Sequence, residues 1–259
     1  MPTVVSAFWA ARGGSPADHY EDAFWPRRPG AQRTRRLRLA VADGATESML
    51  SGLWADLLVR TWCRSRRRQV DDVVAAAMNR WDATMRAYVQ GREADRRPIQ
   101  WFEEPGLARG AHATLLGVEL DGDPSSGPLR WSAVSLGDSC LFQVRDDVLV
   151  ASFPVARADQ FGTAPKLVPT RPEQLGRVLA HLERAEGDCR AGDVLFLTTD
   201  ALAAWFLTEV EAGGAPWRVL RRLEGDDRSA FATWVATQRD RGGLRNDDVT
   251  LVRVEVGAP

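Results

Sequence analysis

Four apolar, strand-like segments of the 259-residue sequence have an aspartate at one end. "LAVAD" ends at Asp43, "VSLGD" at Asp138 and "LFLTTD" at Asp200, while the last apolar run starts just after Asp247. Each acid alone is an ordinary turn former or helix cap. If paired strands bring these ends to one side of a fold, however, the carboxylates share a cleft and repel one another unless cations lie between them.

The spacing of apolar residues predicts strands and then two helices in the first third of the chain. Residues 3–10 and 37–42 are apolar and rich in β-branched side chains, as strands are. From Ser51 the apolar residues recur every three or four positions, and from Val70 a second stripe continues to Tyr88. Both stripes carry tryptophans that we expect in the core: Trp54, Trp62 and Trp81.

The rest of the chain alternates short strand-like segments with turns and further helices. Residues 91–109 are irregular in sequence and 154–172 contain four prolines, so both predict loops. Helices are predicted over 173–186, 201–214 and 228–240. Short apolar segments separated by turn residues predict antiparallel strands: 112–120, 130–136, 139–144, 147–153, 193–200 and 249–256. This order favours an α+β fold of antiparallel sheets covered by helices, with a doubly wound parallel sheet as the alternative.

Composition and cysteine spacing exclude several classes of function. The 34 basic and 35 acidic residues give a net charge of −1, so neither nucleic acid nor a membrane surface is an expected partner. Cys63, Cys140 and Cys189 lack paired spacing, which predicts free thiols and not disulfides or a thiolate zinc site. The sequence has neither a signal peptide nor an apolar run of about 18 residues, so we expect one cytoplasmic domain over residues 1–259. The sequence does not predict its oligomeric state.

The acids are the candidate metal ligands of this chain. Glu21 and Asp22, in "HYEDAFW", join the aspartates at the strand ends. An all-oxygen ligand set suits Mg²⁺ or Mn²⁺, whereas zinc prefers the histidine and cysteine ligands that this chain lacks at useful spacing. Two such ions about 3.5–4 Å apart can activate a shared water and direct it at phosphorus. The sequence therefore predicts a divalent-metal site wherever these acids converge.

The order of these motifs resembles a known family. "ED…VADG…GD…TDAL…DDVT" is similar to the motifs "NED", "DG", "GDSR", "SDGL" and "DNIT" of the metal-dependent PP2C-type (PPM) serine/threonine protein phosphatases. The bacterial branch, in which "DGA-ES" is followed by a "SGLWA" helix, is the most similar, and the resemblance runs from about residue 8 to residue 256. It implies a four-layer αββα sandwich of two antiparallel sheets flanked by helices, with a binuclear Mn²⁺ or Mg²⁺ centre at one end.

The resemblance also implies a role for each metal-binding residue. Asp43 would bridge the two ions. Glu21 and the main-chain carbonyl of Gly44 would bind one ion, and Asp200 and Asp247 would bind the other. A water activated by the two ions would then attack phosphoserine or phosphothreonine in line, with no phosphoenzyme.

Two further aspartates have supporting roles by the same resemblance. Asp22 would hydrogen-bond to waters on the ions, which makes Asp22 and Asp43 the candidate catalytic residues. Asp138, in "GDS", matches the aspartate that in some members helps to hold a weaker third ion.

Several positions depart from the family pattern. Ala17 stands where many members have a phosphate-binding arginine, and Arg12 is the candidate replacement. Ala45 stands where some members have a proton-donating histidine, so that a water would do this work. Ala201 and Asp248 replace a glycine and an asparagine. Asp248 is expected to point to solvent, with a supplementary role at the metal site as the alternative.

Three functions remain open from the sequence. The first is a Mn²⁺- or Mg²⁺-dependent protein phosphatase that acts on phosphoserine and phosphothreonine proteins, the products of a bacterial serine/threonine kinase. The second is a weakly active or inactive phosphatase-like module that binds a phosphoprotein or signalling partner, since Ala17 and Ala45 lack functional groups. The third is a metal hydrolase of small phosphate esters.

Overall fold

The structure is a computed structural model that describes part of the chain. The described residues are 3–16, 19–26, 30–32, 36–65, 69–122, 129–162, 165–223 and 228–257. Ala17, which stands at the family's arginine position, lies outside them.

Two antiparallel sheets form the centre of the fold. The strands of the described residues are β1 (Thr3–Ala10), β2 (Ala23–Trp25), β3 (Gly30–Gln32), β4 (Arg36–Ala42), β5 (His112–Ala113), β6 (Leu115–Asp121), β7 (Leu129–Leu136), β8 (Cys140–Arg145), β9 (Val148–Phe153), β10 (Val168–Pro169), β11 (Glu183–Cys189), β12 (Val194–Thr198) and β13 (Val249–Glu255). The first large sheet has the order β3-β1-β13-β12-β8-β9, and the second has the order β11-β7-β6-β4-β2. β10 and β5 pair separately.

Helices cover the outer face of each large sheet. The α-helices of the described residues are α1 (Ser51–Arg64), α2 (Val70–Ala94), α3 (Glu104–Arg109), α4 (Leu175–Leu179), α5 (Asp200–Glu211), α6 (Pro216–Arg221) and α7 (Arg228–Asp240). One apolar core joins α5, α6 and α7 to the six-stranded sheet, and another joins α1, α2 and α4 to the five-stranded sheet. None of the helices that the structure describes has the length and apolar character needed to cross a bilayer.

A third core lies between the two sheets and explains the apolar runs in the sequence. Leu39 and Val41 of β4 point into this inter-sheet core, whereas Ala40 and Ala42 pack under the helices. Alternate residues of a strand face opposite sides of a sheet. Because both sides are covered, the central strands are apolar throughout. The predicted α+β class, with antiparallel sheets flanked by helices, is confirmed.

The strand registers place several chain segments at one end of this sandwich. In the six-stranded sheet, the last residue of β1 pairs with the first of β13, and Thr198 at the end of β12 pairs with Leu251. In the five-stranded sheet, Ala23 at the start of β2 pairs with Ala42 at the end of β4. Residues just outside these strands, including the acids of the motifs, therefore emerge at the same end.

Two local predictions were wrong. Residues 173–186 do not form one helix: only the short α4 forms, and Glu183 begins strand β11, which pairs with β7 over seven residues. β11 is a polar edge strand, and exposed charges on an edge strand mask the apolar signal of a strand. Residues 91–109 are not wholly irregular, because α2 continues to Ala94 and α3 occupies Glu104–Arg109.

The predictions for the tryptophans and cysteines are confirmed. Trp54, Trp62 and Trp81 are at most 5% exposed and pack in the core under the five-stranded sheet. The Trp62 ring lies so close to Gly117 of β6 that a Cβ there would come within 2.5 Å of it. All three cysteines are free thiols.

Candidate metal centre

Asp43 follows the buried strand β4 and is held by its backbone. Its N–H donates to Thr114 Oγ1 at 2.8 Å, and the Thr114 N–H donates to the Asp43 carbonyl at 2.8 Å. The Thr114 hydroxyl in turn contacts Ser139 Oγ at 2.8 Å, next to Asp138. These bonds join the end of β4 to the β7–β8 turn, so that two of the predicted acids lie on connected backbone.

Gly44 permits a close approach between this segment and Glu21. A Cβ at position 44 would lie 2.5 Å from the Glu21 carbonyl oxygen and 2.9 Å from the Ser51 carbonyl carbon, so only glycine fits. The Ser51 hydroxyl, at the start of α1, donates to Glu21 Oε1 at 2.5 Å. That the Gly44 carbonyl binds a metal remains a prediction. The close approach of Gly44 to the Glu21 backbone is observed in the structure.

Asp22 is buried and oriented by two threonines. Its Oδ2 accepts hydrogen bonds from Thr250 Oγ1 at 2.6 Å and from Thr199 Oγ1 at 2.9 Å. Thr199 follows β12, and Thr250 lies in β13, so the Asp22 carboxylate is attached to the six-stranded sheet. The hydroxyl of Tyr20 also contacts Thr250 Oγ1, at 2.5 Å. The segment that carries Glu21 and Asp22 therefore bridges both sheets.

Asp200 and Asp247 lie at the same end of the six-stranded sheet. Asp200 is the first residue of α5, immediately after β12, and its Oδ2 accepts a hydrogen bond from the Arg245 guanidinium at 3.2 Å. Asp247 comes just before β13, and its Oδ1 accepts the Asp248 N–H at 2.9 Å. Sequence reasoning missed Arg245, although a cation two residues before a predicted ligand is a usable signal.

Asp248 does not point to solvent, which corrects the expectation from the sequence. It is 8% exposed, and its carboxylate accepts two backbone N–H groups: that of Arg12 on Oδ1 at 2.8 Å and that of Glu21 on Oδ2 at 2.6 Å. A carboxylate can satisfy two donors at once, whereas an asparagine side chain has only one oxygen. The aspartate in place of the family's asparagine thus connects β13, the end of β1 and the Glu21 segment.

The charges at this end of the sandwich act strongly on Asp43. Burial raises the pKa of Asp43 well above its ordinary value. Four neighbouring carboxylates raise this pKa further: Asp22, Asp200, Asp247 and Asp138. Five carboxylates from distant parts of the sequence therefore lie within electrostatic reach of one another.

The other acids show the same effect. Burial is the main cause that raises the pKa of Asp22, Glu21 and Asp200, and nearby carboxylates add to it in each case. Burial and the charge of Asp200 raise the pKa of Asp138 to about 6. The Arg245 guanidinium opposes the rise at Asp200 without cancelling it. Negative charge at this end thus exceeds the positive charge that the neighbouring side chains supply.

The donor set suits a hard divalent cation. The ligand atoms offered by the predicted residues are all oxygens, and Asp138 Oδ1 is buried without a hydrogen-bond partner. Within the described residues, no three histidine, cysteine, aspartate or glutamate side chains are already closed around a common point at metal-binding distance. The carboxylates are therefore gathered at one end, and side-chain movement would be needed to complete a coordination shell.

Two other predicted positions lie beside this cluster. Arg12 is partly buried and lines a cavity of about 750 Å³ together with Glu21 and Asp22. The Ala45 N–H donates to the His112 carbonyl at 3.0 Å, and its methyl side chain offers no proton. The Arg12 guanidinium and two of the acids, Glu21 and Asp22, thus line one cavity, whereas position 45 contributes only backbone.

Replacing Asp248 by asparagine is expected to weaken Mn²⁺ binding by about 10–100-fold, although asparagine is the family's residue. The reason is that one backbone N–H, of Arg12 or Glu21, loses its acceptor, and an outer partner of a ligand typically has an effect of this size. Isothermal titration with Mn²⁺ checks the affinity. Asp240→Asn, at an exposed site at the end of α7, is the matched control; equal affinities in both variants would contradict the prediction.

Solved structures of bacterial proteins match the chain over almost its whole length. The serine/threonine phosphatase PstP/Ppp of Mycobacterium tuberculosis has a TM-score of 0.56 at 17% identity, and the match covers 100% of both chains. The catalytic domain of the phosphatase PstP in complex with two manganese ions has a TM-score of 0.52 at 19% identity, over 99% of this chain and 100% of that one. A structure from the bacterial stressosome, a system that controls secondary messenger signalling, has a TM-score of 0.56 at 18% identity, over 98% and 99% of the two chains.

No protein-family model and no curated protein matches the sequence. At identities this low, structural similarity establishes the fold, while activity must be argued from the site. The two antiparallel sheets flanked by helices and the full-length matches agree with each other. The chain therefore has the fold of the PP2C-type (PPM) metal-dependent phosphatases.

Proposed function

We propose that this protein is a Mn²⁺- or Mg²⁺-dependent phosphatase that hydrolyses phosphoserine and phosphothreonine in proteins. One observation carries the proposal: burial and four neighbouring carboxylates, at positions 22, 138, 200 and 247, raise the pKa of Asp43 at one end of a PP2C-type fold. Such crowding of buried acids is unfavourable without cations. It is the arrangement that a binuclear centre of hard ions requires.

The residues that would hold the ions follow from their positions. Asp43, at the centre of the cluster, would lie between two ions. Glu21 and the Gly44 carbonyl would bind one, and Asp200 and Asp247 the other. The bound ions would supply Lewis-acid activation of a water and neutralise the phosphoryl oxygens. Asp138, whose Oδ1 has no partner among the described residues, is the candidate ligand of a weaker third ion.

Asp22 is suited to orient a water. Both threonine hydroxyls donate to its Oδ2, and no hydrogen bond to its Oδ1 is found in the described part of the chain. A carboxylate fixed through one oxygen presents the other in a defined direction, which is the usual role of outer partners at metal sites. We assign Asp22 the role of orienting the water that would attack the phosphate.

Two arginines are candidates to bind the substrate phosphate. Arg12 lines the cavity beside Glu21, and the half-exposed Arg245 reaches Asp200 from the other side. Guanidinium groups match phosphate oxygens in a bidentate geometry. Because Ala45 offers no proton, a water would protonate the leaving serine or threonine oxygen.

The substrates that we propose are phosphoproteins made by a bacterial serine/threonine kinase. Hydrolysis of p-nitrophenyl phosphate and of a phosphothreonine peptide by the purified protein is expected to require Mn²⁺, to stop with EDTA and to return with excess Mn²⁺. Faster turnover of small phosphate metabolites than of phosphopeptides would instead favour a small-ester hydrolase. No turnover of any of these substrates with Mn²⁺ would contradict a catalytic function.

The second candidate function is a module that binds phosphoproteins without turnover. The observation that favours it is Ala45, which contributes only backbone beside the acid cluster. The two functions differ in their response to Asp200→Ala. The phosphatase would lose turnover, whereas a binding module would retain its affinity for a phosphothreonine peptide.

A further inference from the structure

A cleft of about 420 Å³ lies between the chain around Lys166 and helix α4. The ionisable side chains that line it are all basic: His112, Lys166, Arg177 and His181. No acidic side chain of the described residues lines it. Lys166 is the single lysine of the sequence, and two of its three histidines lie here. The cleft is thus positive within a chain whose net charge is −1.

The basic side chains of this cleft have no ion-pair partner among the described residues. Lys166, Arg177 and His181 are exposed, and none of them forms a salt bridge in the parts of the chain that the structure describes. Arginines elsewhere in the described structure commonly form salt bridges, as Arg218 does with Asp147. Unpaired cations around a concave surface attract anions, because the low-dielectric walls concentrate the field.

The cationic cleft continues toward the proposed metal centre. A neighbouring cavity of about 430 Å³ shares Pro165, Lys166 and His181 with it and is also lined by the carboxylates Asp138 and Glu183. His112, which also lines the cleft, accepts the Ala45 N–H on its backbone carbonyl at 3.0 Å. A polypeptide with its phosphate at the carboxylate cluster therefore has a continuous path to the basic side chains.

We propose that this cationic cleft binds acidic or additionally phosphorylated residues of the substrate chain, and so selects phosphoproteins with negative charge near the scissile phosphate. The proposal rests on the proposed function, whose substrate class it narrows. The carboxylate or second phosphoryl group would pair with Lys166 and Arg177, with the histidine N–H groups as further donors. Substrates with neutral residues in these positions would gain nothing from the cleft.

The test compares two peptides that differ only in charge. Both carry one phosphothreonine, flanked by glutamates in the first and by glutamines in the second. The unchanged protein with Mn²⁺ is expected to show a kcat/KM roughly 3–10-fold higher on the glutamate peptide, the size expected for two partly exposed ion pairs. Lys166→Glu with Arg177→Glu is expected to abolish this preference, while hydrolysis of p-nitrophenyl phosphate stays unchanged.

A matched control distinguishes an effect of the cleft residues from an effect of the protein's net charge. Arg222→Glu with Arg241→Glu makes the same charge change at exposed sites after α6 and α7, on the opposite helical layer. The control should keep the preference at equal ionic strength. A preference that survives in the cleft variant, or that falls equally in the control, would overturn the proposal.

A binding measurement keeps this test independent of turnover. Fluorescence anisotropy with the glutamate peptide lacking phosphate is expected to give a Kd roughly 3–10-fold weaker for the cleft variant than for the control. If no variant hydrolyses any phosphate ester, the proposed function fails but the cleft is still tested by this affinity. Equal affinities of the cleft variant and the control would overturn the cleft as a binding site.

Discussion

Replacing Asp43 by asparagine is expected to reduce phosphatase turnover by at least about 1000-fold while raising the stability of the metal-free protein. Turnover falls because Asp43 is the proposed bridge between the ions, and loss of even an outer partner of a ligand reduces activity about 10–100-fold. Stability rises because burial and four carboxylates disfavour the ionised form of Asp43, and asparagine is neutral at nearly the same size. Turnover of p-nitrophenyl phosphate with Mn²⁺ and Tm in EDTA are the two measurements.

The exposed Asp240→Asn substitution controls for the removal of one negative charge. It should change neither quantity. An Asp43→Asn protein with undiminished Mn²⁺-dependent turnover would refute the assigned role, since no other residue can replace a bridging carboxylate. A lower Tm of the metal-free variant would show that Asp43 stabilises the fold, contrary to the electrostatic argument.

The metal-free protein is expected to lose stability as the pH rises from about 4 to 7. The folded-state pKa is raised for five acids: Glu21, Asp22, Asp43, Asp138 and Asp200. Between the ordinary pKa near 4 and the raised one, the folded protein holds more protons than the unfolded chain, so the free energy of unfolding falls with pH. This is opposite to the usual effect of salt-bridged carboxylates, whose contribution to the free energy of unfolding is lost as the pH falls.

The shifted pKa of Asp138 gives the expected size of this loss of stability. A pKa raised from 3.8 to about 6 corresponds to about 3 kcal/mol, or roughly 6–12 °C in Tm for a chain of this length. Tm measured in EDTA across this pH range checks the slope, and Asp138→Asn should make the slope smaller. Mn²⁺ added at pH 7 should restore the lost stability, because the ion binds the folded, ionised cluster. A Tm that is constant from pH 4 to 7 would contradict the gathering of these acids.

The central strands could be predicted from the sequence because they are buried on both faces. Leu39–Ala42 and Val194–Thr198 are apolar throughout, since one side of each strand packs in the inter-sheet core and the other under helices. The edge strand β11 could not be predicted in this way. It is partly exposed to solvent, and its glutamates and aspartate give no apolar pattern. The local pattern of apolar residues indicates which strands are buried. An edge strand forms because it pairs with a strand distant in the sequence, and the local pattern does not show this pairing.

The same difference separates the predicted from the unpredicted parts of the candidate site. Asp43, Asp200 and Asp247 follow or precede buried strands and were found from that pattern. Asp248 was expected in solvent, because nothing in the local sequence indicated a partner for its carboxylate. Its burial depends on the N–H groups of Arg12 and Glu21, more than 220 residues away in the chain.

The sequence by itself determined the fold class, the central apolar strands and the set of acids at the strand ends. These properties follow from residue type and spacing, which act over a few residues. Only the tertiary structure decided that the acids meet at one end and that Asp248 supports Glu21. It also decided that a basic cleft, whose cations form no ion pair among the described residues, is connected to Asp138 by a neighbouring cavity. Each of these depends on strand register and sheet packing, which bring together groups that the chain itself holds far apart.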